Sequence, residues 1–243
     1  MIIFKFIKNI ILAVIIIAIL TVPICVYFVK FNSESFLGEN LKKVVMQNNF
    51  LIGFMNLDSP GDARFLYLKP DGKSISVRII PVNSKMPDLD ADLWVNEMIS
   101  QTLNKDAEIS VTNNVDYPVN DHLKDGDLNN LHNLVKKNDA ADLYIIYTSS
   151  YNEIPSSVGL VLHRDTIFIF KDAIDGLTEK GVIKDVLERT TIMHEWGHLL
   201  GMDHVSDEKC IMDEQADVYD TPPLGKKLPT EYCWEELQSL DQS

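Results

Sequence analysis

Residues 194–204 read His194-Glu195-Trp196-Gly197-His198-Leu199-Leu200-Gly201-Met202-Asp203-His204, and every other segment reads most simply as their support. Two histidines four apart on a helix lie on one face, near enough for their imidazoles to share a metal ion. Glu195 then stands beside that ion. A carboxylate there can take a proton from a water whose pKa the metal has lowered, and the hydroxide so formed can attack a peptide carbonyl. Gly201 can adopt φ > 0 and end the helix, so that the reversed chain brings His204 round as a third ligand. Three protein ligands leave a fourth position open for water, which is the arrangement of a catalytic zinc site rather than a structural one.

The pattern HExxHxxGxxH is matched at every specified position by His194, Glu195, His198, Gly201 and His204, and in this the chain resembles the metzincin zinc endopeptidases. A methionine turn beneath the metal is their other signature. Met212, in Cys210-Ile211-Met212-Asp213, falls eight residues after His204. That spacing suits both the matrixin-like and the archaemetzincin-like branches. Gly197 and the GxDH ending resemble matrixins. Cys210 and the pair Tyr232-Cys233 resemble archaemetzincins, which carry four cysteines in this region, so the branch stays open. The motif resemblance runs from Ile183 to about Leu240.

The resemblance implies one catalytic Zn2+ on His194, His198 and His204, with Glu195 as general base and later general acid and Met212 as an apolar floor. It implies an α+β, zincin-like fold: a mixed, mostly parallel sheet, an active-site helix and a Met-turn. In metzincins the antiparallel edge strand binds substrate through its main chain, and Gly159, Leu160 and Val161 form the segment that matches it.

At the other end of the chain, Ile10 to Val29 is an uncharged apolar run long enough to cross about 30 Å of hydrocarbon. Lys5 and Lys8 precede it, Lys30 follows, and Glu34 and Glu39 come soon after, so the positive-inside tendency favours a cytoplasmic N-terminus. The run exceeds a usual signal-peptide h-region and no A-x-A-like cleavage site follows it, so an uncleaved signal anchor is expected, with a cleaved signal peptide as the rival. Either puts the catalytic part outside the cytoplasm. Without Lys5, Lys8 and Lys30 the chain carries 19 basic against 36 acidic residues, a formal charge of −17, which disfavours a nucleic-acid partner.

These features divide the chain into a stub and single-pass transmembrane anchor over 1–30, a juxtamembrane segment and hairpin arm over 31–73, and a catalytic domain over 74–243. Residues 31–63 read as a stalk or as a flap. Arg64 to Leu68 and Ser74 to Pro81, separated by Lys69-Pro70-Asp71-Gly72-Lys73, read as a β-hairpin. Asp88 to Asn104 has helical period, and Glu108 to Val115 reads as a strand. Asp116, Asp121, Asp125 and Asp127 do not match an EF-hand spacing and read as a solvated turn rather than a calcium site. Leu128 to Lys137 reads as a helix; its His132, like His122 before it, reads as a surface residue.

Leu143 to Ser149 suits the centre of a sheet. Ser157 to Leu162 and Thr166 to Phe170 are joined by His163-Arg164-Asp165, short enough only for an antiparallel hairpin. His163 and Asp165 read as turn residues, not ligands. Val182 to Leu200 is helical, with Ile183, Val186, Leu187, Thr190 and Met193 on its core stripe and Lys184, Asp185, Glu188 and Arg189 facing water. Glu214 to Leu228 reads as an acidic loop along the cleft, and Thr230 as the N-cap of a last helix, Glu231 to Leu240.

Archaemetzincins use their four cysteines for a second, structural zinc. This chain has Val205 where the first would stand, and Cys233 aligns with either member of the last pair, leaving Thr230 or Glu236 at the other place. Two thiolates make a poor closed tetrahedral site, whereas an oxidising compartment permits a disulfide between Cys210 and Cys233, with two unpaired thiols as the alternative. Cys25 would stay a free thiol in the membrane. The expected function is a zinc-dependent endopeptidase at the cell membrane acting on peptide or protein substrates. A metal-containing surface binding module without activity is the alternative, and the intact Glu195 argues against it. A third reading makes His204 a bystander, with Asp203 or a distant glutamate as the ligand.

Overall fold

The computed structural model describes residues 2–33, 35–69, 73–118, 122–138, 140–179, 183–213 and 228–241, in two compact units, Met1–Leu57 and Asp58–Ser243. In the first unit, α1 (Ile2–Phe31) is one apolar helix whose stretch Ile7–Phe31 is long and apolar enough to cross a membrane. Helix α2 (Phe36–Val45) packs against it. Gly38 permits that approach, since a β-carbon there would stand 2.0 Å from the Asn32 carbonyl oxygen. Ser35 caps α2 by accepting the Gly38 N–H at 3.1 Å, and Asn48 caps α3 (Asn49–Met55) through the N–H groups of Phe50 and Leu51.

The second unit begins with a helical turn, α4 (Arg64–Tyr67), and is built on strands β1 (Ile75–Pro81), β2 (Ala107–Val111), β4 (Leu143–Thr148), β6 (Gly159–His163) and β7 (Thr166–Phe170). They form one sheet in the order β2-β1-β4-β7-β6, parallel throughout except for the β6–β7 hairpin. A short parallel pair joins β3 (His122–Leu123) to β5 (Ser150–Tyr151). Strand β4 lies at the centre and is buried at every position, as an apolar run in a parallel sheet should be.

Helices cover both faces. Tyr144, Ile146, Phe168 and Phe170 share a cluster with Leu128, Leu131 and Val135 of α6 (Asp125–Asn138). Alternate residues of the strands point the other way. On that side α8 (Lys184–Leu199) packs on β6 and β7, and α5 (Ala91–Leu103) packs on β2 and α8. The last helix is α9 (Trp234–Asp241).

Four expectations need correction. Arg64–Tyr67 is helical rather than a hairpin arm, because β1 already has β2 on one edge and β4 on the other, leaving no place for a third partner. Tyr67 instead turns inward, its hydroxyl donating to the Asp142 carbonyl at 2.8 Å. Ile183, expected on the core stripe, is the N-cap residue of α8 and is 65% exposed, and before it Lys171–Thr178 forms helix α7. It supplies the ammonium that pairs with Glu188, so Glu188 is fully buried and not facing water. The last helix starts at Trp234 because Pro229 and Thr230 are engaged elsewhere: their carbonyls accept from Thr190 and Arg189 of α8. Most of the acidic loop expected over Glu214 to Leu228, and the Pro70-Asp71-Gly72 turn, lie outside the described residues.

Candidate active site

The orientation of α8 is set by Trp196, which is fully buried, donates its indole N–H to Thr102 Oγ1 at 3.0 Å and meets the Tyr67 ring edge-on at 4.9 Å. That fixes the next face of the helix, carrying His194 and Glu195, in the interior, with His198 one turn on and half-buried. Gly201, at φ +74°, ends the helix. The N–H of Met202 reaches the Gly197 carbonyl at 2.9 Å and that of Gly201 reaches His198 at 3.0 Å, a paired closure that needs a left-handed residue. The reversed chain is then held by the Val205 N–H on the Met212 carbonyl at 2.8 Å.

This turn brings His204 back to the helix. The Nε2 atoms of His194, His198 and His204 lie 3.1, 3.2 and 3.3 Å from one another. Three imidazoles binding one tetrahedral zinc at about 2.0–2.1 Å need donor separations of about 3.3 Å, so the residues fit that ion. The chemistry of the donors agrees. His194 Nδ1 lies 2.7 Å from the Ile211 carbonyl oxygen, which can only accept, so Nδ1 carries the proton and Nε2 presents its lone pair.

Two glycines make the surroundings possible. A β-carbon on Gly159 would lie 2.6 Å from Glu195 Oε1, so the strand can run beside the carboxylate only without a side chain. One on Gly197 would lie 2.2 Å from Met212 Sδ, and Met212 is fully buried against the helix at that point. Beside Glu195 and His198 opens a cavity of about 410 Å³, flanked by Gly159, Leu160 and Val161 and on other sides by Pro60, Ile154 and Asp203. Strand β6 is the outermost strand of the sheet and its second edge borders this cleft, with the Gly159 carbonyl oxygen accepting from Ser157 Oγ at 2.6 Å.

Cys210 and Cys233 are joined as a disulfide with their Cα atoms 5.1 Å apart. Beside it stands a residue to which the sequence reading gave no role. Glu236 is buried, and its two carboxylate oxygens accept the N–H groups of Met212 at 2.6 Å and Cys233 at 2.7 Å. Burial pushes this carboxyl above its ordinary value, while the N–H groups of Met212, Cys233 and Ile211 pull it back. A glutamate three residues after a helix cap reaching back to the cap N–H is half of a capping box, and that signal is present in the sequence once Cys233 is taken as the cap.

His132, read as a surface residue, is buried and stacks on His163 with ring centroids 3.8 Å apart. Their Nδ1 atoms turn to Thr166 Oγ1 at 2.8 Å and Asp58 Oδ2 at 2.8 Å. Burial, and then the neighbouring His163, push His132 down to about 4. Burial also raises Asp58, but the hydrogen bond and charge of His163 outweigh it and hold that carboxyl low. Donor atoms of Asp58, His132 and His163 come within 4.8 Å of one another. The stacked, nearly parallel rings suit a packed pair, whereas His194 and His198 stand at 83° with their Nε2 atoms converging. His122 is exposed, with Nδ1 2.6 Å from Ser150 Oγ.

No protein-family model and no curated protein sequence matches this chain. Among solved structures, archaemetzincin from Methanopyrus kandleri is similar at a TM-score of 0.51 and 16% identity, over 72% of this chain and 98% of that one. A zinc-dependent peptidase from Methanocorpusculum labreanum is similar at 0.48 and 13%, over 68% and 99%. In fold this chain thus resembles the archaemetzincin structure, and its own five-stranded sheet is mixed and mostly parallel.

Proposed function

We propose that this chain is a membrane-anchored, zinc-dependent endopeptidase whose catalytic part faces away from the cytoplasm. One observation carries the reading: three imidazole Nε2 atoms converge to 3.1–3.3 Å next to a buried glutamate, on a cleft flanked by an outer strand. Zinc bound by them would supply a Lewis acid that polarises the scissile carbonyl and acidifies water. His194, His198 and His204 would hold it through Nε2, and Met212 closes the space beneath Gly197 with an apolar side chain.

Glu195 takes a proton from the attacking water and later delivers it to the leaving amine. Strand β6 accepts an extended peptide as an added strand through the outward-facing main-chain groups of Gly159 and Val161, those of Leu160 being paired with Phe168 of β7, which sets the scissile bond along the glutamate. The archaemetzincin-like fold supports the peptidase reading. The anchor rests on α1, with Lys5 and Lys8 before its apolar stretch. The described structure gives no observation in favour of an inactive binding module.

Digestion of a proteome-derived peptide library by the full chain in detergent, with and without a chelator, tests the activity. Cleavage should stop on chelation and return with zinc. Glu195→Gln should keep near-stoichiometric zinc while turnover falls by roughly 10² or more. Equal turnover in that variant would sink the mechanism. Protease added to intact cells should digest the catalytic part, and protection would reverse the orientation.

A further inference from the structure

The proton on His194 Nδ1 and the carboxylate of Glu236 meet at the two ends of one peptide unit. The Ile211 carbonyl oxygen accepts from His194 Nδ1 at 2.7 Å. The N–H of the same unit, on Met212, donates to Glu236 Oε1 at 2.6 Å. A planar trans peptide carries its C=O and N–H in opposite directions, so the unit stands as a rigid bridge between the imidazole and the carboxylate. A negative acceptor on the N–H polarises the unit and makes its carbonyl oxygen a better acceptor. A histidine whose far nitrogen donates to a stronger acceptor is better oriented and more basic at the nitrogen that binds metal.

We infer that Glu236 is a positioning residue for His194, acting through the Ile211–Met212 peptide as the carboxylate of a carboxylate–peptide–histidine relay. The inference rests on the zinc-site reading above. Three further observations support it. Glu236 is 4% exposed and His194 is fully buried, so water does not screen the relay. The second oxygen of Glu236 is occupied by the Cys233 N–H at 2.7 Å, which fixes the carboxylate's plane at the start of α9. Glu236 Oε1 is the one acceptor that the Met212 N–H meets among the described residues.

A brace that merely held α9 in place would leave the electronic character of the metal site alone, and the test separates the two. Full-length wild type, Glu236→Gln, Glu236→Asp and the double variant Cys210→Ser/Cys233→Ser are loaded with zinc, and then with cobalt in its place. Zinc dissociation constants and the visible absorption of the cobalt forms are read. Glu236→Gln should stay folded with zinc bound 10- to 100-fold more weakly and its cobalt bands shifted. Glu236→Asp should lie between it and wild type. The double variant, which loosens the same turn without touching the Met212 N–H, should keep wild-type bands.

Zinc affinity within twofold of wild type and unshifted bands in a folded Glu236→Gln overturn the inference. So does an equal band shift in the double variant. If Glu236→Gln does not fold, Glu236→Asp decides by the same two readouts. Wild type that takes up no zinc would bring down the zinc-site reading, and the relay with it, whereas wild type that binds zinc beside an indifferent Glu236→Gln brings down the relay alone.

Discussion

Gly159 lies so close to Glu195 that a β-carbon on it would stand 2.6 Å from Oε1 and 2.9 Å from the side chain's Cγ. The first rim position of the cleft and the proposed base therefore share one space. Thr191 Cγ2 would stand equally close at 2.6 Å, so Gly159→Ala has to displace the carboxylate, Thr191 or the strand, while the three histidines are untouched. The proposed mechanism needs the carboxylate at hydrogen-bond reach of water, and a displacement of about 1 Å can cost about 10²-fold. Steady-state kinetics beside metal analysis should show kcat/KM down by about 10- to 100-fold at unchanged zinc content. An alanine variant as active as wild type would separate Gly159 from the chemistry.

How much of this was legible beforehand depends on distance along the chain. The converging histidines come from an i, i+4 pair and a glycine-terminated helix, all within residues 194–204, so local rules suffice. The β6–β7 hairpin was legible because three residues cannot make a crossover. Glu188 and His132 were misplaced because each was judged by its charge instead of its helical face. Glu188 lies three and four before the buried Thr191 and Ile192, and His132 lies four after Leu128 and three before Val135, so both stand on core stripes. Asp58 could not be found this way. Its contact with His163 spans 105 residues, and nothing in either neighbourhood points to the other.

The buried pair of Lys171 and Glu188 gives a second expectation. Their side chains are 5% and 0% exposed, and Glu188 Oε1 also accepts the Asp88 N–H at 2.8 Å. Lys171→Met leaves a charge uncompensated in the interior and should cost about 3–5 kcal/mol in chemical denaturation. Adding Glu188→Gln removes that charge while keeping an oxygen for Asp88, so the double variant should recover most of the loss. A double variant no better than the single would show that the cost lies in packing and not in charge.

The His132 group predicts an acid-side loss of stability. Its folded value of about 4 lies below the ordinary 6.5, so on acidification the unfolded chain binds this proton first. Stability then falls as pH drops from about 6.5 towards 4 and is unaffected by this group above that window. At about 1.36 kcal/mol per unit the ceiling is about 3 kcal/mol, the opposing pull of Asp165 and Asp58 being already contained in that value. Thermal melts of wild type and His132→Asn across this range should converge or cross as pH falls, because asparagine has no proton to gain. Parallel Tm curves would place the acid sensitivity elsewhere.

The Cys210–Cys233 bond ties the turn that carries Met212 to the residue before α9. The two cysteines are 23 positions apart, and closing that loop is worth about 3 kcal/mol on the chain-entropy model. Reduction should therefore lower Tm by roughly 6–12 °C for a chain of this size. Its competitor is a metal site, since donor atoms of Cys210, Cys233 and Glu235 come within 4.8 Å of one another. The two differ in what frees the thiols. A disulfide yields to reductant and ignores chelators, and the protein then carries one zinc per chain; a thiolate site yields to chelators and adds a second zinc. Alkylation after each treatment, with peptide mapping and metal analysis, should label Cys210 and Cys233 only after reduction, and labelling after chelation alone would replace the bond with a second metal.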